Sequence, residues 1–358
     1  MTASAAPRSL ASPRVTPHSH AMRAWVLTDG KAGDEQPCLG VAEAVADRIG
    51  RRRIAPRRPW SWLAPWGPID PRDAPDRMGS PIAPKPGDGW PDVVIAAGRR
   101  AAPYLRRIKA ASGGKVLTVF LRDARAGAGV ADVVWVPEHD RLRGPNVVVS
   151  TTSPHRVNAV RLAAARGAPP LVGPDVPGPR VAVLLGGDTR HHRFSPEDVD
   201  RLVAGLTRLK SDGAVLMATA SRRTPKPLAL AIERLAHYFW DGTGDNPYIS
   251  LLAQAEALVV TADSTNMVGE AAATGRPVLV FEPSGGRRKT RVFLDRLTAL
   301  GVIRPFSGRL ERYSYPPLDS TPQIARAIQA LAATRDILRR DVDRKAPVAA
   351  RETNGRPK

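Results

Sequence analysis

Residues 259 to 280 read Val-Val-Thr-Ala-Asp-Ser-Thr-Asn-Met-Val-Gly-Glu-Ala-Ala-Ala-Thr-Gly-Arg-Pro-Val-Leu-Val, and their order carries a chemical expectation. Hydroxyl, carboxylate and amide groups crowd into Thr261, Asp263, Ser264, Thr265 and Asn266, the residue types that cap a helix start. A helix start offers unpaired N–H groups and a partial positive charge, so it favours an anion such as a phosphate. Glu270 follows Asn266 by about one helical turn, within reach of a polyhydroxylated ligand held there.

Two apolar runs must position this turn. Ala257 to Val260 reads as a strand covered on both faces, and Val278 to Phe281 as its parallel neighbour. The helix between them stops at Gly275, with Pro277 beyond. Similar units recur along the chain. Ala24 to Leu27 leads into Thr28 to Gln36, a glycine loop, and then a helix from Pro37 to Ile49. Strands are expected at 92–96, 116–121, 133–136 and 146–149, with helices at 101–111 and 154–165. Residues 56–91 hold ten prolines and should lack regular structure over most of that length. Gly167 to Pro179 carries five prolines and three glycines and reads as a linker.

Strand Arg180 to Leu185 then ends in Gly186-Gly187-Asp188. Helices at 196–210, 227–236 and 248–255 alternate with strands at 214–219 and 238–240; helices near 292–301 and at 322–339 close the pattern. Alternation of this kind implies parallel sheets, and two such runs imply two doubly wound domains. The expected division is a disordered tail 1–22, a first domain 23–166, a linker 167–179, a second domain 180–322, a C-terminal helix 323–340 and a disordered tail 341–358. Ligands of such sheets bind at the carboxyl ends of strands, where strand order switches.

Net charge is +20 and pI about 11.1, carried by arginine, since only nine of the basic residues are lysines. A single cysteine, Cys38, excludes an internal disulfide framework and fits a reducing compartment. No apolar stretch approaches the length of a membrane span. His191-His192 has no partners at metal-ligand spacing and reads as a polar surface pair.

Leu-Thr-Asp-Gly-Lys-Ala-Gly (27–33), Trp-Pro-Asp-Val-Val-Ile-Ala-Ala-Gly-Arg-Arg (90–100), Gly-Gly-Asp (186–188), Asn-Pro-Tyr (246–248) and Thr-Ala-Asp-Ser-Thr-Asn-Met-Val-Gly-Glu-Ala (261–271) together resemble the mitochondrial-fission ELM family. The resemblance implies an α/β fold of GT-B type, in which two Rossmann-like, doubly wound domains with parallel sheets face each other. It implies a nucleotide-sugar donor in the second domain, held by Gly186, Gly187, Ser264, Thr265, Asn266 and Glu270. Arg190 and Lys289 would neutralise the leaving diphosphate, with no cofactor and no metal. The first-domain loop Gly30, Lys31, Gly33 would face the acceptor. Three residues could take the acceptor proton: Asp34, Glu138 and His139.

The expected activity is therefore glycosyl transfer from a nucleotide sugar. A GT-B-type sugar-nucleotide epimerase and a non-enzymatic membrane or protein adaptor are the alternatives. A short-chain epimerase is disfavoured, because no tyrosine here is followed four residues later by lysine. Residues 48–66 combine an arginine cluster with Trp60, Trp62 and Trp66, which suits an anionic membrane surface. The plainer arrangement is a solvated arginine run with the tryptophans packed under a loop. Nucleic acid is disfavoured as a partner, since no recognised module accompanies the charge. The expected location is cytoplasmic, peripheral at the inner face of the membrane.

Overall fold

A computed structural model describes residues 22–345. The expected disordered tails lie outside those residues, apart from Met22 and residues 341–345. The Met22 carbonyl accepts the Asp47 N–H at 3.1 Å, and 341–345 continue the last helix.

The first half runs β1 (Arg23–Thr28), α1 (Ala32–Val45), β2 (Arg48–Arg53), α2 (Trp60–Leu63), β3 (Val93–Ala97), α3 (Ala101–Ala111), β4 (Leu117–Leu121), β5 (Val133–Pro137), β6 (Val147–Ser150) and α4 (Ala159–Arg166). The second runs β7 (Arg180–Leu185), α5 (Pro196–Ser211), β8 (Val215–Ala220), α6 (Lys226–Leu235), β9 (Tyr238–Trp240), α7 (Tyr248–Gln254), β10 (Ala257–Thr261), α8 (Thr265–Ala272), β11 (Val278–Phe281), α9 (Arg288–Ala299), β12 (Ile303–Pro305) and α10 (Thr321–Lys345). Each half is built on one six-stranded sheet, ordered β2-β1-β3-β4-β5-β6 and β12-β11-β10-β7-β8-β9. Every strand pairing within them is parallel. The expected α/β architecture of two doubly wound parallel sheets is present.

Burial explains why these runs are strands. β3, β4, β5 and β10 are buried at every residue, as a sheet covered on both faces requires. Alternate residues feed opposite cores: Val93, Ile95 and Ala97 join one, Val94 and Ala96 the other. The second half repeats this, with Leu258 and Val260 in one core and Val259 in the other.

Several boundaries differ from the expected ones. α1 starts at Ala32 and encloses Pro37, so the glycine loop shrinks to the turn before it, and Gly33 is helical. The same helix stops at Val45, and Ile49 belongs to β2, an edge strand absent from the sequence reading. Short β12 was likewise not expected. α4 begins at Ala159, capped by Asn158, rather than at 154.

The chain crosses between halves twice. α4 precedes the Pro/Gly stretch, yet Val157 and Leu162 sit in a core of the second half. α10 returns, placing Ile324, Ala325 and Ile328 in a core of the first. The two crossings run side by side: Thr152 and Ser320 hydroxyls lie 2.8 Å apart, and the His155 N–H donates to Thr321 Oγ1 at 3.1 Å. Among the described residues no helix is long and apolar enough to cross a membrane.

Candidate functional site

Strand order reverses between β1 and β3 in the first sheet and between β7 and β10 in the second. Side chains cannot close the sheet's end at such a point, so a crevice opens there. The turns singled out by sequence lie at those carboxyl ends: Gly30 after β1, Gly186-Gly187 after β7, and the 262–266 segment after β10.

The second-half crevice is built around a buried carboxylate. Asp263 Oδ2 accepts the Gly187 N–H at 2.9 Å, and its Oδ1 accepts the Thr261 hydroxyl at 2.7 Å. The Thr261 hydroxyl in turn accepts the Gly186 N–H at 2.8 Å. Arg223 reaches Asp263 at 3.4 Å, and burial pushes the Asp263 carboxyl above its ordinary range. The two glycines are required by close approach. A Cβ on Gly186 would lie 2.1 Å from Asp263 Oδ1, and one on Gly187 2.1 Å from the Arg223 carbonyl carbon. The loop after β7, the loop after β8 and the start of α8 are thus fastened together.

Ser264 caps α8, its Oγ accepting the Met267 N–H at 3.4 Å. Thr265 opens the helix. Asn266 turns toward the first half, where its Oδ1 accepts from Arg122 Nη2 at 3.2 Å. One turn on, Glu270 is half-buried, and its Oε2 accepts the Tyr248 hydroxyl at 2.6 Å. Burial pushes the Glu270 carboxyl up to about 7, against the downward pull of that hydrogen bond. Tyr248 also lines a cavity of about 640 Å³ with Leu185, Thr219, Phe239, Trp240 and Met267. Aromatic walls beside a desolvated carboxylate suit a flat ring linked to a diol.

Across the cleft, Asp34 stands in the first turn of α1, with Arg122 Nη1 3.9 Å from its Oδ1. Asp34, Arg122 and Asn266 therefore form a chain of contacts between the halves. Glu138, His139 and Asp140 follow β5 and meet α9 instead. Arg296 Nε donates to Glu138 Oε2 at 3.1 Å, and Lys289 donates to Asp140. Burial pushes the His139 imidazole down, opposed by Asp140 and reinforced by Lys289 and Arg122, so it is neutral at pH 7. The three expected proton acceptors thus fall in two separate interdomain contacts. Lys31 turns back to Asp29, and Arg190 is exposed on the loop after β7. His192 is buried at 6% exposure, against the surface pair expected; its loop pairs with Gly285. No three His, Cys, Asp or Glu side chains gather at a metal-binding distance among the described residues.

The sequence model of the mitochondrial fission ELM1 family matches residues 32–331. The chain belongs to that family. Within it, mitochondrial fission protein ELM1 of Arabidopsis thaliana is 28% identical over 276 residues, 68% of this chain and 65% of that one. An uncharacterised protein of Rickettsia prowazekii is 33% identical over 161 residues, 41% of this chain. The chain spans 65% and 45% of the lengths of these two relatives. Among solved structures, UDP-GlcNAc 2-epimerase from Neisseria meningitidis aligns over 88% of this chain and 93% of its own, with a TM-score of 0.44 and 14% identity. MurG of Acinetobacter baumannii aligns over 87% and 90%, with a TM-score of 0.40 and 14% identity.

Three residues at the site of this ELM1-family chain escape a reading by motif. Tyr248 and Asp263 lie inside the quoted motifs, but their partners are 22 and 76 residues away. Arg122 follows an apolar strand, and that position is the one local signal that could have found it. It holds φ at 78°, in the left-handed region that costs a side chain about 1 kcal/mol or more. Strain kept at a residue joining the two halves fits a functional contact better than a packing one. Arg122→Gly should therefore leave the melting temperature unchanged or higher. It should also loosen the halves, read as a larger radius of gyration in small-angle scattering.

Proposed function

We propose that this ELM1-family chain is a metal-independent, nucleotide-sugar-dependent glycosyltransferase working peripherally at the cytoplasmic face of a membrane. The observation carrying the reading is Glu270, a half-buried carboxylate one turn inside α8, bonded to Tyr248, which lines an aromatic-walled cavity over the carboxyl ends of β7, β8 and β9. The nucleoside ring would occupy the cavity, and its ribose hydroxyls would donate to Glu270. The diphosphate would meet the N–H groups opening α8, with Ser264, Thr265 and Asn266, and the turn at Gly186 and Gly187.

In transfer, the acceptor oxygen bonds to the sugar's anomeric carbon while the bond from that carbon to the diphosphate oxygen breaks. The acceptor proton passes to a base, and the leaving diphosphate takes the electron pair. Glu138 is engaged by Arg296, which leaves Asp34 and the neutral His139 as the bases at hand. Arg190 and Lys289 are the cations that would balance the diphosphate; Lys289 must first leave Asp140.

The test is a thermal-shift panel of UDP-, GDP- and ADP-sugars, since a ligand bound only by the folded state raises the melting temperature. At least one should stabilise the protein, and an acceptor should then be needed for donor consumption. Donor conversion without acceptor would move the assignment to an epimerase. No shift with any nucleotide sugar would remove the enzymatic reading.

A further inference from the structure

Residues 48–69 contain six arginines and no acidic residue. The fold sets this stretch out as edge strand β2, short helix α2 and a proline-rich turn, all fastened from below. Arg57 donates twice to buried Asp70, at 2.9 Å to each oxygen. Arg106 Nη2 donates to the Trp66 carbonyl at 3.1 Å, and Arg99 Nη2 to that of Ser61 at 3.5 Å. Ser61 is 5% exposed, Ala64 2% and Ile54 1%. A loop held this firmly could have folded its indoles underneath. Instead Trp62 is 62% exposed, Trp66 68% and Leu63 47%. The arginines share that surface: the Arg58 guanidinium lies 5.0 Å over the Trp62 ring, and Arg99 and Arg106 come up from α3 and the turn before it.

We propose that Trp62, Leu63 and Trp66 dock this protein on an anionic bilayer, with Arg58 and Arg99 facing the lipid phosphates. Charge and side-chain type favour lipid over protein. Indole rings partition to the interface between headgroups and acyl chains, and guanidinium groups beside them meet negative headgroups. Each basic residue near an anionic surface adds about fivefold to partitioning. No acidic residue in the stretch opposes this. α2 touches the turn at the carboxyl end of β3, the end on which the crevice opens. A docked molecule would therefore hold that rim close to the bilayer. The proposal stands without the sugar-nucleotide reading.

Vesicle co-sedimentation of the full chain tests it, using phosphatidylcholine alone and phosphatidylcholine mixed with phosphatidylglycerol. The wild type should pellet with the mixed vesicles, less so as salt rises, and only weakly with phosphatidylcholine alone. Trp62→Ala with Trp66→Ala should lower partitioning about tenfold or more at an unchanged melting temperature. Trp62→Phe with Trp66→Phe keeps the apolar surface. It should bind, yet show less quenching of its remaining tryptophan fluorescence by brominated lipid. Failure of the wild type to pellet with anionic vesicles, or equal pelleting of the double alanine variant, overturns the proposal. Self-association of the wild type that the alanine variant loses, without vesicle binding, would assign the surface to a second copy.

Discussion

Glu270→Gln should sharply reduce stabilisation by any nucleotide sugar while making the unliganded protein more stable at pH 8. The two effects share one cause. In the folded chain the Glu270 carboxyl titrates at about 7, above the 4.5 of an unburied glutamate. The unfolded chain therefore releases this proton first. Stability from this group is full below about pH 4.5 and is lost as pH rises through about 7, a loss of about 3 kcal/mol. Glutamine has the same shape, still accepts the Tyr248 hydroxyl and carries no charge, so its curve should be flat across that window. Binding has the opposite slope. Sugar hydroxyls donate to the ionised carboxylate, so affinity should fall about tenfold per pH unit below 7. The variant should lose about tenfold to a hundredfold in affinity at pH 8, the worth of a hydrogen bond to a charge. Denaturant melts at pH 5 and pH 8, with and without ligand, read all of this. Equal stability of the two proteins at pH 8 would mean that the carboxylate is not desolvated as described.

Gly187→Ala should cost about 3 kcal/mol or more of stability, more than a typical single change. The added methyl would sit 2.1 Å from both the carbonyl carbon and oxygen of Arg223 and 2.4 Å from the Thr224 nitrogen. These are backbone atoms, so no side chain can rotate away. The Arg223 carbonyl is itself fixed, accepting the Asp188 N–H at 3.0 Å, and the Gly187 N–H is held by Asp263. Relief requires the loops after β7 and β8 to part, which exposes the Asp263 carboxylate. Gly33→Ala is the matching control, because no atom lies within 4 Å of its added methyl. Urea unfolding of both variants separates a crevice locked by close approach from a turn chosen for flexibility alone.

Much of this architecture was legible in the chain. Runs such as Val93–Ala97 and Ala257–Thr261 are apolar throughout, because a parallel sheet hides both faces, and they were located within a residue or two. β2 was not, for the opposite reason. Arg-Ile-Gly-Arg-Arg-Arg has no apolar run; it is a strand because β1 supplies its hydrogen bonds and Trp25 supports it, with Arg52 4.1 Å over the indole. Pro37 reads as a first helical residue but lies within α1, which places Asp34 in the helix's first turn. At the site, the capping run and Glu270 could be read from local pattern. The bonds that Tyr248, Asp263 and Arg122 make could not, since they join segments far apart in sequence.

Both passages between the halves lie in one strip, bonded to each other through Thr152 and Ser320 and through His155 and Thr321. Gly40 of α1 packs against the backbone of one passage, a Cβ there falling 2.4 Å from the His155 carbonyl oxygen, and Gly269 of α8 faces Thr152. A lone tether would let the lobes swivel and wag in every direction. A doubled and riveted flexure narrows that freedom, as the spine of a book does, and opening the mouth would separate Arg122 from Asn266 and Asp140 from Lys289.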